Sequence, residues 1–217
     1  MDKLKPLLVS GVAELELNLA EVQIDKLMSY LTLLQKWNKV YNLTAIRDPK
    51  EMLIKHLLDS LAVVPYIQGQ RIIDVGTGGG LPGIPLAICF PNKQIDLLDS
   101  NSKKTRFLIQ AKAELGLVNT QVIHSRVEEY KPESLYDGVI SRAFAAMEDM
   151  LFWTHHLIPI EGVWWAMKGQ KEFEDLSKLS SKLPGLVNIE KVFELHVPSL
   201  GAERILVKGV KQSEYQP

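Results

Sequence analysis

The chain of 217 residues holds a single cysteine, Cys89. A disulfide framework or a thiolate zinc site within the chain is thereby excluded. No apolar run approaches the ~20 residues needed to cross a bilayer, and no secretory leader is visible. A soluble cytoplasmic protein with no membrane contact is expected. Charge of one sign is also missing: 25 Lys and Arg face 26 Asp and Glu, for a net charge of −1. Any surface for a polyanion must therefore be local. Basic residues do gather at Lys36, Lys39, Arg47, Lys50 and Lys55, and again at Lys103, Lys104 and Arg106. Internal repeats and low-complexity segments are absent. His155 and His156 are adjacent on a helical segment and point in different directions, so no metal site is expected.

Hydrophobic residues make up 46% of the chain and charged residues 24%, as in ordinary globular proteins. The length suits one domain with an extension. The densest signal is Arg71-Ile-Ile-Asp-Val-Gly-Thr-Gly-Gly-Gly-Leu-Pro-Gly-Ile-Pro-Leu-Ala87. An apolar run ends in Gly76-x-Gly78-x-Gly80, and a helix-like segment follows. Such a strand, turn and helix start presents backbone N–H groups to a nucleotide-like ligand, and glycine lets the turn take φ > 0. Gly78-x-Gly80-x-x-Gly83 also fits the dinucleotide fingerprint, with Asp99 at the distance of a ribose-binding acid. From this block alone NAD, FAD and S-adenosylmethionine (SAM) all remain open.

Two regions differ in pattern. Residues 1–67 read as a helical extension. Met1–Leu17 suits one helix. Asn18-x-x-Glu21 can cap a second, whose apolar face runs Leu27, Leu31, Leu34, Trp37. Asp48-Pro49-Lys50-Glu51 starts a third with Leu53, Leu57, Leu61 and Val64 at helical spacing, ending near Pro65. Residues 68–217 alternate short apolar runs (72–75, 94–99, 120–124, 136–141, 162–167) with helical segments (81–90, 102–115, 146–157, 171–182). That order implies a parallel sheet with right-handed crossovers. Lys191–Val197 and Arg204–Val207 have no room for a helix between them and must form a hairpin, which adds an antiparallel strand. A parallel nucleotide-binding sheet closed by a hairpin is closer to the SAM-dependent methyltransferases than to the dehydrogenases. Trp164 and Trp165 should pack on opposite faces of the sheet.

Ligands of open parallel sheets bind at the carboxyl ends of the strands. Those ends carry the glycine loop, then Asp99, placed for ribose hydroxyls. Next come Ser125-Arg-Val127-Glu128-Glu129, where Val127 suits an adenine flank with Glu128 nearby. Arg142 follows the fourth strand and Lys168 the fifth. An arginine in such a cleft needs an anionic or hydrogen-bonding partner. No Pro-Pro pair occurs, so the signature of exocyclic-amine methylation is missing, and no Pro-Cys follows the fourth strand to methylate a pyrimidine at C5. His56, Asp59 and Ser60 share one helix face.

Trp37-Asn-Lys-Val-Tyr-Asn-Leu-Thr-Ala-Ile46, His56-Leu-Leu-Asp-Ser60, the Asp74–Ala87 block and Ser141-Arg142-Ala143 together resemble the glucose-inhibited division protein B family. These are the bacterial 16S ribosomal RNA guanine-N7 methyltransferases of type G. The resemblance covers nearly the whole chain. It implies a class I SAM-dependent methyltransferase (Rossmann-like α/β) fold with a C-terminal antiparallel hairpin and an N-terminal helical extension. It implies SAM contacts at Gly76, Gly78 and Leu81, ribose contacts at Asp99, an adenine site at Val127 and Glu128, and Arg142 beside the cofactor or incoming base. His56 and Asp59 become candidates for substrate positioning. The implied partner is 16S rRNA or the small ribosomal subunit. A monomer without a metal is expected, with phosphate contacts from the N-terminal helices and the Lys103–Lys104–Arg106 face.

Overall fold

The computed structural model describes residues 2–142, 146–169, 183 and 185–215. Seven strands form one sheet in the order β3-β2-β1-β4-β5-β7-β6. The strands are β1 (Arg71–Val75), β2 (Gln94–Asp99), β3 (Val122–His124), β4 (Gly138–Arg142), β5 (Val163–Gly169), β6 (Val187–Leu195) and β7 (Arg204–Lys211). Strands β1 to β5 pair in parallel, and β7 inserts antiparallel between β5 and β6. Chain order reverses at β1, which lies between β2 and β4. A crevice opens at the carboxyl ends of the strands at such a switch point.

The expected class I methyltransferase architecture with its C-terminal hairpin is therefore present, with local differences. Strand β6 begins earlier than its apolar core suggests, with an irregular register between Ile189 and Lys191, and β7 runs on to Lys211. The additional length is half-buried alternation that the charged Lys208 and Lys211 obscure. Lys211 is itself buried, and its Nζ donates to the carbonyls of His155 (3.0 Å) and Ile158 (3.1 Å) and to Glu214 Oε2 (2.7 Å). The helix expected over 171–182 lies outside the described residues.

The helices before the sheet are α1 (Lys5–Glu14), α2 (Glu21–Tyr41), α3 (Pro49–Met52) and α4 (Asp59–Leu61). Asn18 does not cap α2: Ala20 is the cap residue, and its N–H donates to Gln23 Oε1 at 2.9 Å. Asp48 caps α3 as its spacing predicts, Oδ1 accepting from Glu51 N at 2.8 Å. Between α3 and α4, Leu53–Leu58 is π-helical, so 49–61 is one continuous helix with a widened middle. It stops at Leu61 rather than Pro65.

Among the described residues, α5 (Gly83–Cys89), α6 (Ser102–Leu115) and α7 (Met147–Thr154) cross between strands. Trp165 and Trp164 fall on opposite faces of the sheet. The Trp165 face packs Ile72, Leu97 and Ile140 against Leu27, Leu31, Leu53 and Leu57, so the N-terminal helices and the sheet share one core. The other face packs Ile73, Val139 and Trp164 against Met150 and Leu151 of α7. Among the described residues no helix is long and apolar enough to cross a membrane.

Candidate active site

The glycine loop lies between β1 and α5. Gly76, Gly78 and Gly80 have φ of +69°, +62° and +89°. A Cβ at Gly78 would make only ordinary contacts, with Gly76 O at 3.9 Å and Lys104 Nζ at 4.0 Å, so its requirement is conformational. Gly83 is different: a Cβ there would stand 2.2 Å from Leu97 Cδ2 and 2.8 Å from Asp74 Oδ2. Helix α5 therefore starts at Gly83, not at Leu81, which is still part of the turn and is buried.

Asp74 sits beneath this loop with no exposed surface. Its Oδ2 accepts from Thr77 Oγ1 (2.6 Å) and Gly83 N (2.7 Å), closing the loop on itself. Its Oδ1 is buried without a partner among the described residues. Burial pushes the carboxyl up to about 7. From outside, Tyr30 of α2 donates its hydroxyl to Gly79 O at 2.6 Å.

A cleft of about 440 Å³ opens beside the loop, within the range of small-molecule sites. Gly76, Asp99, Val127 and Glu128 all line it, with Lys104 and Trp153. Asp99 Oδ2 accepts from Gly78 N at 2.9 Å and faces Lys104 Nζ at 3.7 Å, while Oδ1 accepts from Asn101 N at 2.8 Å. The carboxylate thus ties the glycine loop to the start of α6. Gly78 borders the cleft through that bond, and Leu81 lies behind the loop.

Arg142 belongs to a second cluster, against the π-helical segment. Its Nη1 donates to Asp59 Oδ2 (3.0 Å) and Lys55 O (2.9 Å), and Nη2 meets His56 Nδ1 at 3.3 Å. Asp59 Oδ1 also accepts from Arg204 Nε at 3.1 Å, so one carboxylate joins β4 to β7. His56 Nδ1 also lies 3.1 Å from the Lys55 carbonyl, which can only accept, so this ring nitrogen faces a donor and an acceptor at once. On the other side of the ring Nε2 lies 2.9 Å from Thr44 Oγ1. Burial, helped by Arg142, lowers the His56 pKa to about 4, so the ring is neutral at pH 7. Thr44 is held in turn by Asn38, whose Oδ1 accepts the Thr44 N–H at 2.8 Å.

These residues fit a nucleoside cofactor with a cationic tail. The loop offers a turn that side chains would strain, Asp99 an acceptor on the cleft wall, Val127 an apolar flank, and Asp74 Oδ1 an orphaned acceptor. A family model for rRNA small subunit methyltransferase G matches residues 23–207.

The chain belongs to that family.

The ribosomal RNA small subunit methyltransferase G of Hydrogenovibrio crunogenus is 67% identical over 190 residues, covering 88% of this chain and 86% of the relative. Its namesake from Saccharophagus degradans is 52% identical over 196 residues, covering 90% and 86%. A SAM-dependent methyltransferase structure from Aquifex aeolicus superposes with a TM-score of 0.58 at 15% identity, over 82% of this chain and 98% of that one, which is a likeness of fold. Within the methyltransferase G chain, the expected site residues divide in two: Gly76, Asp99, Val127 and Glu128 meet in the cleft, while His56, Asp59 and Arg142 meet beside the π-helical segment. The sequence pattern does not single out Tyr30, Thr44, Lys104, Trp153 or Arg204 as residues of these two sites. Thr44 lies in the Asn-Leu-Thr block, a usable signal, but nothing local marks Tyr30 or Arg204.

Proposed function

We propose that this chain transfers the methyl group of SAM to N7 of one guanine in 16S rRNA, acting in the cytoplasm as a monomer on the rRNA or the small subunit. The observation that carries this reading is the glycine-loop cleft lined by Gly76, Asp99, Val127 and Glu128 in a chain of the methyltransferase G family. Gly76, Gly78 and Leu81 shape the loop that would hold the cofactor. Asp99 would receive its ribose hydroxyls, and Val127 and Glu128 would flank its adenine. Bound there, SAM supplies a methyl group already activated by the sulfonium charge.

Guanine N7 offers an in-plane lone pair and carries no proton, so this reaction needs alignment rather than a base. Alignment is worth up to roughly 7–11 kcal/mol in well-oriented systems. The cluster suits that task. His56 is neutral at pH 7, and its Nδ1 edge lies against Arg142 Nη2 and the Lys55 carbonyl. Asp59 holds the guanidinium from a second side. Both are positioning residues that aim Arg142 at the cofactor or the incoming base. N7 lies in the deep, narrow major groove of A-form RNA, so the target must be in a loop or turned out of its stack.

The test incubates the protein with labelled SAM and small subunits from cells lacking this gene, then maps label by cleavage at 7-methylguanine. Label at one guanine is the expected result. Bound SAM with no label on subunits or naked rRNA would overturn the acceptor and keep the cofactor.

A further inference from the structure

The chain is nearly neutral, yet its acids are unevenly placed. Residues 26–47 contain no Asp or Glu, and neither do residues 100–113. The first stretch is most of α2 with the turn after it, and the second is the larger part of α6. These two stretches pack together: the Trp37 ring lies 5.7 Å from that of Phe107. Lys36 immediately precedes Trp37, Lys39 follows it, Lys103 stands one turn before Phe107, and Arg106 adjoins it. All four are exposed, and none forms an ion pair with a described residue.

Three other basic residues are engaged elsewhere. Lys104 faces Asp99 in the cleft, and Lys55 pairs with Glu51 at 3.0 Å while its carbonyl receives Arg142. Arg47 is held by Asn42 Oδ1 at 2.5 Å, which fixes the turn at the end of α2. Tyr41, 38% exposed, stacks on Trp37 with centroids 5.1 Å apart and an interplanar angle of 27°. The seam therefore presents cations and a braced aromatic face, and Lys104 joins it to the cleft.

We infer that the α2–α6 seam is the docking surface for the RNA substrate, with Lys36, Lys39, Lys103 and Arg106 on phosphates and Tyr41 offered to an unstacked base. The inference rests on the proposed RNA acceptor. The occupant is a polyanion because two acid-free stretches meet here in a chain of balanced charge, and it is RNA because an aromatic platform among cations suits single-stranded segments. Lys104 is excluded from the RNA surface and assigned to the cofactor cleft, which separates two neighbouring lysines by role.

The experiment compares wild type with a Lys36→Ala, Lys39→Ala, Lys103→Ala, Arg106→Ala variant and with Tyr41→Ala, using naked 16S rRNA at several salt concentrations and SAM by calorimetry. The fourfold variant should bind rRNA at least about tenfold more weakly, and the slope of log affinity against log salt should fall by about 0.7 for each phosphate left without its cation. Tyr41→Ala should weaken binding with the slope kept, and SAM affinity should be unchanged in both. Wild-type rRNA affinity and slope in the fourfold variant, alongside methylation by the wild type, would overturn the surface and leave the activity standing. Loss of rRNA binding in the variant with no methylation by the wild type would support the surface and overturn the proposed reaction.

Discussion

His56 and Asp74 are buried titratable groups whose pKa values move in opposite directions, and both feel Arg142. The His56 pKa falls from 6.5 to about 4, so the unfolded chain binds the extra proton between these values and stability rises with pH across them. The Asp74 pKa rises from 3.8 to about 7, so the folded chain binds the extra proton and stability falls across that window. The effects are roughly 3 kcal/mol for His56 and roughly 4 kcal/mol for Asp74, and between pH 4 and 6.5 they oppose. Relative to wild type, His56→Gln should lose stability as pH climbs through this range, and Asp74→Asn should gain it. Urea unfolding at stepped pH checks both, and parallel curves for variants and wild type would refute the assignment. Asp99→Ala removes the acceptor of Gly78 N and Asn101 N. It should weaken SAM binding about 10- to 100-fold by calorimetry, matching ~1–3 kcal/mol for stranded buried donors.

Helix α2 acts on the glycine loop as a packed element. The Tyr30 hydroxyl reaches Gly79 O, and Leu34 Cδ1 would lie 3.1 Å from a Cβ at Gly79. Tyr30→Phe leaves that carbonyl without its partner. It should cost ~1–3 kcal/mol in denaturant unfolding and lower SAM affinity several-fold. Gly83→Ala should cost at least about 1–3 kcal/mol, because the added methyl meets Leu97 and Asp74 at once. Retention of wild-type stability in Gly83→Ala would contradict the packing. The periodicity of α2 was legible, since Leu27, Leu31 and Leu34 mark its buried face. The tyrosine's reach across 49 residues was not, because hydrogen bonds between distant elements leave no local pattern. The strand ends were legible for the same reason that the cleft is: parallel topology collects them. The π-helical widening was hidden, since Leu53, Leu57 and Leu61 satisfy an α-helical spacing equally well. Arg204 reads as an ordinary strand start, and only the sheet order brings β7 close enough to share Asp59 with Arg142.

The molecule as a whole has two cores divided by the sheet, and the one behind β1 is completed by the N-terminal helices. The N-terminal helices cover Ile72, Leu97 and Trp165, so a chain cut at residue 68 would expose that face. We expect one cooperative unfolding transition, with fluorescence of a variant keeping only Trp37 coincident with that of one keeping only Trp164. Separated midpoints would show that the extension and the sheet fold independently. Cys89 adds a practical property. Its thiol is pushed up to about 12 by burial, so almost no thiolate exists near neutrality. Cys89 is half-buried, so the raised pKa should slow its reaction with thiol-directed dyes, and a cysteine placed on the exposed face of α2 or α6 should take up label faster.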